Sequence, residues 1–382
     1  MRSVNRRPGS RVPGLIACAA LLLGASPVAA ELHHLVAAEG IVEIAVASHA
    51  DGGSSVAWLL QEASLENRVY LQRFDASGSP VTARALVYQD LFPASNLQVA
   101  TDSAGNDLVA FRLYVGMMNA TDEHLAAAYS STGVRLWGPL GITPLSGVYR
   151  GFVSSMKIAA SPGGGWLSTW SQVGYDFTFP TVRASRLDPA TGVLAPFDLS
   201  DPTSEPGVGV FALASNATRV LVAWTVKTLD VAGDADTYEV VGRLLDAEGL
   251  PTTPIHTLGI AGVGPWAIYD LAAAGFGQDR FFLAWNSQIA AGSPRTIGGR
   301  QFVGDAPASA AFVIRTSETS TVGWSPLSVA VDSSGRAILG WSEPESDGAA
   351  APAKSFMYRF RTSGGPLSSL EELSALPGYR QG

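Results

Sequence analysis

The sequence predicts an all-β protein, a β-propeller of six four-stranded blades of about 57 residues each. Three observations carry that reading. Apolar stretches ending in an aromatic recur at Trp58, Phe111, Trp170, Trp224, Trp285 and Trp341, at steps of 53, 59, 54, 61 and 56 residues. Each is preceded by a second apolar stretch: IAVAS, LQVAT, MKIAA, FALAS, YDLAAA or LSVAV. Most are followed by a hairpin of the kind RFDASG, SRLDPATG, RLLDAEG or RFRTSGG.

The strands of a unit follow in order. The first is the apolar stretch before the aromatic. The turn after it is a cluster such as HADGGS, DSAGND or DSSGR, whose residues tolerate positive φ and bond their own backbone. The second strand ends on the aromatic anchor, and a variable loop leads to the third. The third strand carries Arg73, Arg186, Arg243 or Arg359 and runs into a turn with Gly78, Gly133, Gly192, Gly249 or Gly364. The second unit lacks the arginine, and the fifth, RTIGGRQFVGDAP, has lost most of the turn. A weaker fourth strand, such as ARALVYQD, closes the unit. Such a unit cannot bury both faces alone, whereas copies stacked round an axis bury each other. That explains strands that are apolar runs rather than clean alternations. The units run approximately 39–90, 91–147, 148–205, 206–262, 263–320 and 321–382, and ELHHLVA, at the mature start, is expected to clasp the last blade. The repeated arginine is read as structural, pairing with acids or carbonyls, because a catalytic group has no reason to occur once per blade.

Residues 1–30 have the layout of a secretory signal peptide. Arg2, Arg6, Arg7 and Arg11 precede an apolar run from Gly14 to Ala25, and Val28, Ala29 and Ala30 suit cleavage before Glu31. The run is too short to span a bilayer. The expectation is a secreted or periplasmic protein, a single propeller over 31–382, with no membrane insertion after cleavage. Cys18, the one cysteine, leaves with the leader, so disulfides, cysteine metal sites and thiol nucleophiles are excluded from the mature chain. Without the four leader arginines, 21 basic residues face 33 acidic ones, a net charge of −12. Three lysines are present, Lys157, Lys227 and Lys354. This balance argues against a nucleic-acid partner and favours a cation or a neutral sugar as ligand.

The pattern LSVAVDSSGRAILGW at 327–341 and RVYLQRFDASG at 68–78 resembles degenerate repeats, ending in Trp or reading Arg-Phe-Asp-x-x-Gly, of exported bacterial proteins of uncharacterised role. The resemblance covers nearly all of 39–370. It implies an extracytoplasmic β-propeller and carries over no catalytic residues.

Two sets of loops on one face are candidates for function. The loops before the first strands hold Phe92, Tyr149, Arg150, Phe152, Trp266 and Trp324, which would stack on sugar rings at a channel mouth or pack between blades. The long loop of the fourth unit carries Asp230, Asp234, Asp236 and Glu239, carboxylates that suit calcium, although their spacing is not that of a calcium-loop motif. No other cofactor is implied. Enzyme signals are sparse: no nucleophile elbow appears, and adjacent His33 and His34 are the one close histidine pair. The reading is therefore a secreted, non-catalytic propeller that binds a protein or glycan partner. The alternatives are a carbohydrate-active enzyme, hydrolase or lyase, on the same scaffold, and a structural module of the cell envelope.

Overall fold

The computed structural model describes residues 41–61, 66–115, 121–143, 153–172, 181–200, 208–228, 237–263, 268–288, 294–316, 327–344 and 353–372. The expected leader and ELHHLVA lie outside them. The described residues form six antiparallel sheets, and no helix occurs among them. The sheets are the blades of a six-bladed propeller.

Blade one is Ile41–Ser48, Ser54–Gln61, Asn67–Phe74 and Ala85–Asp90. Blade two is Ala94–Thr101, Asp107–Val115, Thr121–Tyr129 and Arg135–Gly141. Blade three is Val153–Ala160, Trp166–Gln172 and Thr181–Asp188, with its outer strand split into Gly192–Val193 and Phe197–Asp198. Blade four is Val208–Ser215, Val220–Thr228, Thr237–Leu245 and His256–Val263. Blade five is Ile268–Phe276, Arg280–Gln288 and Arg295–Val303, with a split outer strand at Ala306–Pro307 and Phe312–Thr316. Blade six is Ser328–Val331, Arg336–Pro344, Ala353–Arg361 and Glu371–Glu372. Among the described residues, Glu371–Glu372 pairs with Phe356 and Met357 of the third strand.

The aromatic anchors explain the repeat. Each lies on the second strand and is buried: Trp58, Phe111, Trp170, Trp224 and Trp341 are at most 3% exposed, and Trp285 is 9% exposed. Four of them, Phe111, Trp224, Trp285 and Trp341, pack back against the preceding blade. Phe111 packs with Leu59 and Leu71 of blade one. Trp224 packs with Leu167 and Val182 of blade three, Trp285 with Leu221 and Val240 of blade four, and Trp341 with Phe282 and Ala284 of blade five. Trp58 stacks on Tyr70 on the face that blade one turns away from blade two, the blade-six side of the ring. Burying a side chain of this size contributes roughly 1.5–3 kcal/mol, so each seam has its own reason to close. The Gly298-Gly299 pair in blade five serves the same packing. A Cβ on Gly298 would lie 2.4 Å from the Trp285 ring, and one on Gly299 would lie 2.5 Å from Phe282.

The hairpin turns also have a uniform cause. Asp75 Oδ1 accepts the N–H groups of Ser77 and Ser79, each at 2.9 Å, and Gly78 supplies φ +79°. Asp246 and Asp332 do the same in blade four and in the first turn of blade six. The repeated arginines fall into two kinds rather than one. Arg73, Arg186 and Arg359 share one register position, opposite Ser55, Leu167 and Ile338. Arg243 lies one residue out of step, opposite Val222, as Arg300 does opposite Leu283. One residue turns a side chain to the other face of a strand. Arg243 and Arg300 therefore reach back to the preceding blade, at the carbonyls of Leu199 and Gly259, and also bond carbonyls of their own blades, Thr253 and Ser309.

Candidate functional site

The innermost strands begin at one face of the ring, here the front, which also carries the blade-to-blade connections and the loops between second and third strands. Most sequence candidates sit in those segments. Tyr149, Arg150, Phe152, Trp266, Trp324, Asp230, Asp234 and Asp236 lie outside the described residues. Phe92 is described and is 42% exposed, in the connection from blade one to blade two. Glu239 lies on the third strand of blade four, opposite Val226, where it accepts a hydrogen bond from Thr257 Oγ1 at 3.2 Å. That places it in a cross-strand pair. No group of three or more potential metal ligands occurs among the described residues.

The front end of the channel holds polar residues that the sequence reading passed over. Innermost strands of five blades each carry one extra residue, a β-bulge, just before the residue paired with the anchor. Bulges re-aim side chains. In blade one the bulge delivers Glu43, whose carboxylate accepts backbone N–H groups of Leu97 and Asn96 in blade two. In blade five it delivers Asp270, which accepts the N–H groups of Leu327 in blade six and of its neighbour Leu271. Blade two uses amides instead: Asn96 in its bulge donates to the Met156 carbonyl of blade three at 3.4 Å, and Gln98, two residues on, accepts the Ile158 N–H at 3.1 Å. Three seams thus share one device, a bulge side chain bonded to the next blade's innermost backbone. Burial pushes both carboxyls up. The backbone N–H bonds offset this in part at Glu43, and the charge of Lys157 from blade three, with the N–H bonds, does so at Asp270.

Beside Asp270, the mouth of blade five is further built up. The Arg295 guanidinium lies 3.9 Å from the centre of the Tyr269 ring, and the Tyr269 hydroxyl donates to Gln288 Oε1 at 2.6 Å. Asn286, opposite Asp270, is 1% exposed. Aromatic, cationic, amide and acidic groups therefore converge on one end of one blade, a composition suited to a polyhydroxylated ligand. Tyr269 and Asp270 stand in YDLAAA, which reads as a plain strand. The bulge that aims them leaves no mark in sequence.

At the back face, a serine, a histidine and an aspartate do meet. His49 Nε2 is 2.8 Å from Ser55 Oγ, and Ser55 Oγ donates to Asp107 Oδ2 at 2.6 Å. Arg73 donates to Asp107 at 3.0 Å, to the Gly105 carbonyl at 2.6 Å and to His49 Nδ1 at 3.2 Å. The wiring excludes a hydrolytic triad. Because Arg73 can only donate, Nδ1 is the bare nitrogen, and Nε2 carries the proton that points at Ser55. A nucleophilic serine must instead donate to its histidine, and the histidine to its carboxylate. Ser55 and Asp107 are also fully buried. The cluster ties blade one to Thr101, Gly105 and Asp107 of blade two.

No family model and no curated protein sequence matches the chain. Solved structures do match in fold. An α-L-arabinanase from Penicillium chrysogenum complexed with arabinobiose is 11% identical over 85% of this chain and 94% of its own, with a TM-score of 0.51. A variant α-L-arabinofuranosidase from Fusarium graminearum, in complex with an iminosugar inhibitor, is 11% identical over the same shares, with a TM-score of 0.50. An ulvan lyase is 9% identical over 83% of this chain and 80% of its own, also at 0.50. At these identities the likeness is one of fold.

Proposed function

We propose that the protein acts on a polysaccharide at the front mouth of the channel, as an exported carbohydrate-active propeller of hydrolase or lyase type. The observation that carries this is the convergence of Tyr269, Asp270, Gln288 and Arg295 at that mouth. Its support is a likeness in fold, over 83–85% of the chain, to propellers whose printed names are arabinanase, arabinofuranosidase and ulvan lyase. This inverts the preference drawn from sequence, which put non-catalytic binding first. The leader at 1–30 would take the chain out of the cytoplasm, where polymeric glycans are met.

A non-catalytic glycan-binding propeller is the second reading, and one observation favours it. The two desolvated carboxylates of the innermost strands, Glu43 and Asp270, are both committed to backbone N–H groups of the next blade. One experiment separates the readings. Residues 31–382 are incubated with a polysaccharide panel, with and without calcium, and followed by new reducing ends, by the ultraviolet absorbance of unsaturated uronates, and by retardation in polysaccharide-containing gels. Reducing ends alone identify a hydrolase, and reducing ends with new absorbance identify a lyase. Retardation without products leaves the binding module. Neither products nor retardation on any polymer defeats the glycan reading. Loss of activity or retardation without calcium would point to the acidic loop of blade four.

A further inference from the structure

In four seams the anchor of one blade shares an apolar cluster with the same register position on the third strand of the blade before. Val69 clusters with Phe111, Val182 with Trp224, Val240 with Trp285 and Ile297 with Trp341. Each stands opposite the residue that follows its own blade's anchor: Leu59, Ser171, Thr225 and Asn286. In blade six the pair is Ser342 and Ser355, whose hydroxyls bond each other at 3.0 Å. In blade two it is Arg112 and His124. The same face of those strands carries Leu108 with Ala128 and Ala110 with Ala126, which cluster with Met156 and Trp166 of blade three. Strand alternation therefore turns His124 toward blade three. Trp170, four residues after Trp166 on the same strand, faces back across this seam. His124 and Trp170 are both fully buried, and among the described residues neither the imidazole nitrogens nor the indole N–H has a hydrogen-bond partner.

Among the described residues, the charged groups facing this seam are Arg112 and Arg183, the latter bonded to Asp198 at 2.8 Å. Asp122 stands two places along the strand from His124, and Glu123 and Lys157 are one residue out of this register, on the faces turned away. A neutral imidazole is tolerated there, whereas an imidazolium is disfavoured by burial and by the Arg112 charge. Once the seam parts, water reaches the ring, which then takes a proton at its ordinary value of 6.5. The parted state thus binds one proton more than the closed state, and acid favours it.

We propose that the seam between blades two and three is an acid-sensitive joint of the ring, which parts in acid while the other seams stay closed. The parting is local, because the seams seated on Val69, Val182, Val240 and Ile297 hold no titratable group at that position.

Residues 31–382 contain no cysteine, so a single introduced thiol reports on one seam. Ala126→Cys places it in this seam, and Ala184→Cys places it at the equivalent, equally buried position of the next. Labelling by 4,4′-dithiodipyridine is followed from about pH 7 to about pH 4.5, and the ratio of the two rates cancels the pH dependence of the thiol itself. The ratio of Ala126→Cys to Ala184→Cys should rise by up to about tenfold per pH unit below 6.5. Adding His124→Val, which supplies the residue of three other seams, should make it flat. Ala110→Cys against Thr169→Cys repeats the comparison on the facing strands, should either first variant fail to fold. A ratio that ignores pH overturns the inference, and so does a rise that survives His124→Val. Equal acceleration at both positions would mean that the ring opens as a whole, and overturns it too.

Discussion

Arg73 and His124 show how far single residues are decided by what surrounds them. Asp107 is fully buried and its charge is met by Arg73 at 3.0 Å, with Ser55 and Thr101 filling its remaining acceptor sites. Arg73→Met should therefore cost about 3–5 kcal/mol, because it strands a buried carboxylate; urea midpoints would measure this, and a loss below about 1 kcal/mol would mean that water replaces the arginine. His124, also fully buried, sits beside Arg112, and neither of its ring nitrogens has a hydrogen-bond partner among the described residues. Burial, and then the Arg112 charge, hold it down to about 3 from its ordinary value of 6.5. A base whose folded pKa is depressed binds fewer protons folded than unfolded. Its contribution is complete above pH 6.5 and is lost as pH falls toward about 3, at up to about 1.4 kcal/mol per unit. Glu43, Glu123 and Asp270 are shifted upward and oppose this, gaining stability as pH falls through their ranges. The clean readout is the difference from His124→Leu. That variant should match or exceed the wild type near neutral pH and should gain on it steadily in acid; parallel pH curves would sink the assignment. Sequence shows a histidine at 124 and an arginine at 112, but not that strand pairing sets them face to face.

At the scale of the strand, the turns were legible and the bulges were not. A turn is a local object: Asp75 and Gly78 carry the reasons for their own conformation in side-chain length and missing Cβ. Gly78, Gly133, Gly192, Gly249 and Gly364 all take positive φ, between 78° and 92°. A bulge answers instead to the neighbouring blade, and no residue type marks it. Its consequence is testable at Asp270. With Asp270→Ala, the Leu327 N–H loses its acceptor, which should cost about 1–3 kcal/mol and speed amide exchange in the innermost strand of blade six before other strands. Uniform exchange across all blades would instead mean that the bond holds nothing local. The arginine register makes the same point. Arg243 looks equivalent to Arg73 in a row of letters, yet a one-residue offset sends it to the opposite seam.

Across the whole molecule, the six blades form a ring, and the seams before blades two, four, five and six are each plugged by an anchor from the following blade. Trp224→Ala should remove about 3–5 kcal/mol. If the ring is cooperative, this loss should lower the single melting transition of all blades together rather than split off a separate transition for blades three and four. Fold class, blade number and strand order were readable because the repeat writes them six times: a strand that must bury both faces, a turn and an aromatic knob are local demands on composition. Of the candidate site, the sequence supplied an aromatic and acidic inventory on the front loops. It did not reveal Glu43, Lys157, Asp270, Tyr269 or Arg295 as a set. Tyr269, Asp270 and Arg295 come together at the front end of blade five through strand pairing and a bulge, and Glu43 and Asp270 bond across their seams because the same bulge recurs. Repetition in the chain determined the architecture. Convergence at the front end of blade five and the back-face cluster that cannot work as a triad were decided by the tertiary structure, since each depends on which residue faces which across a strand pair or a seam.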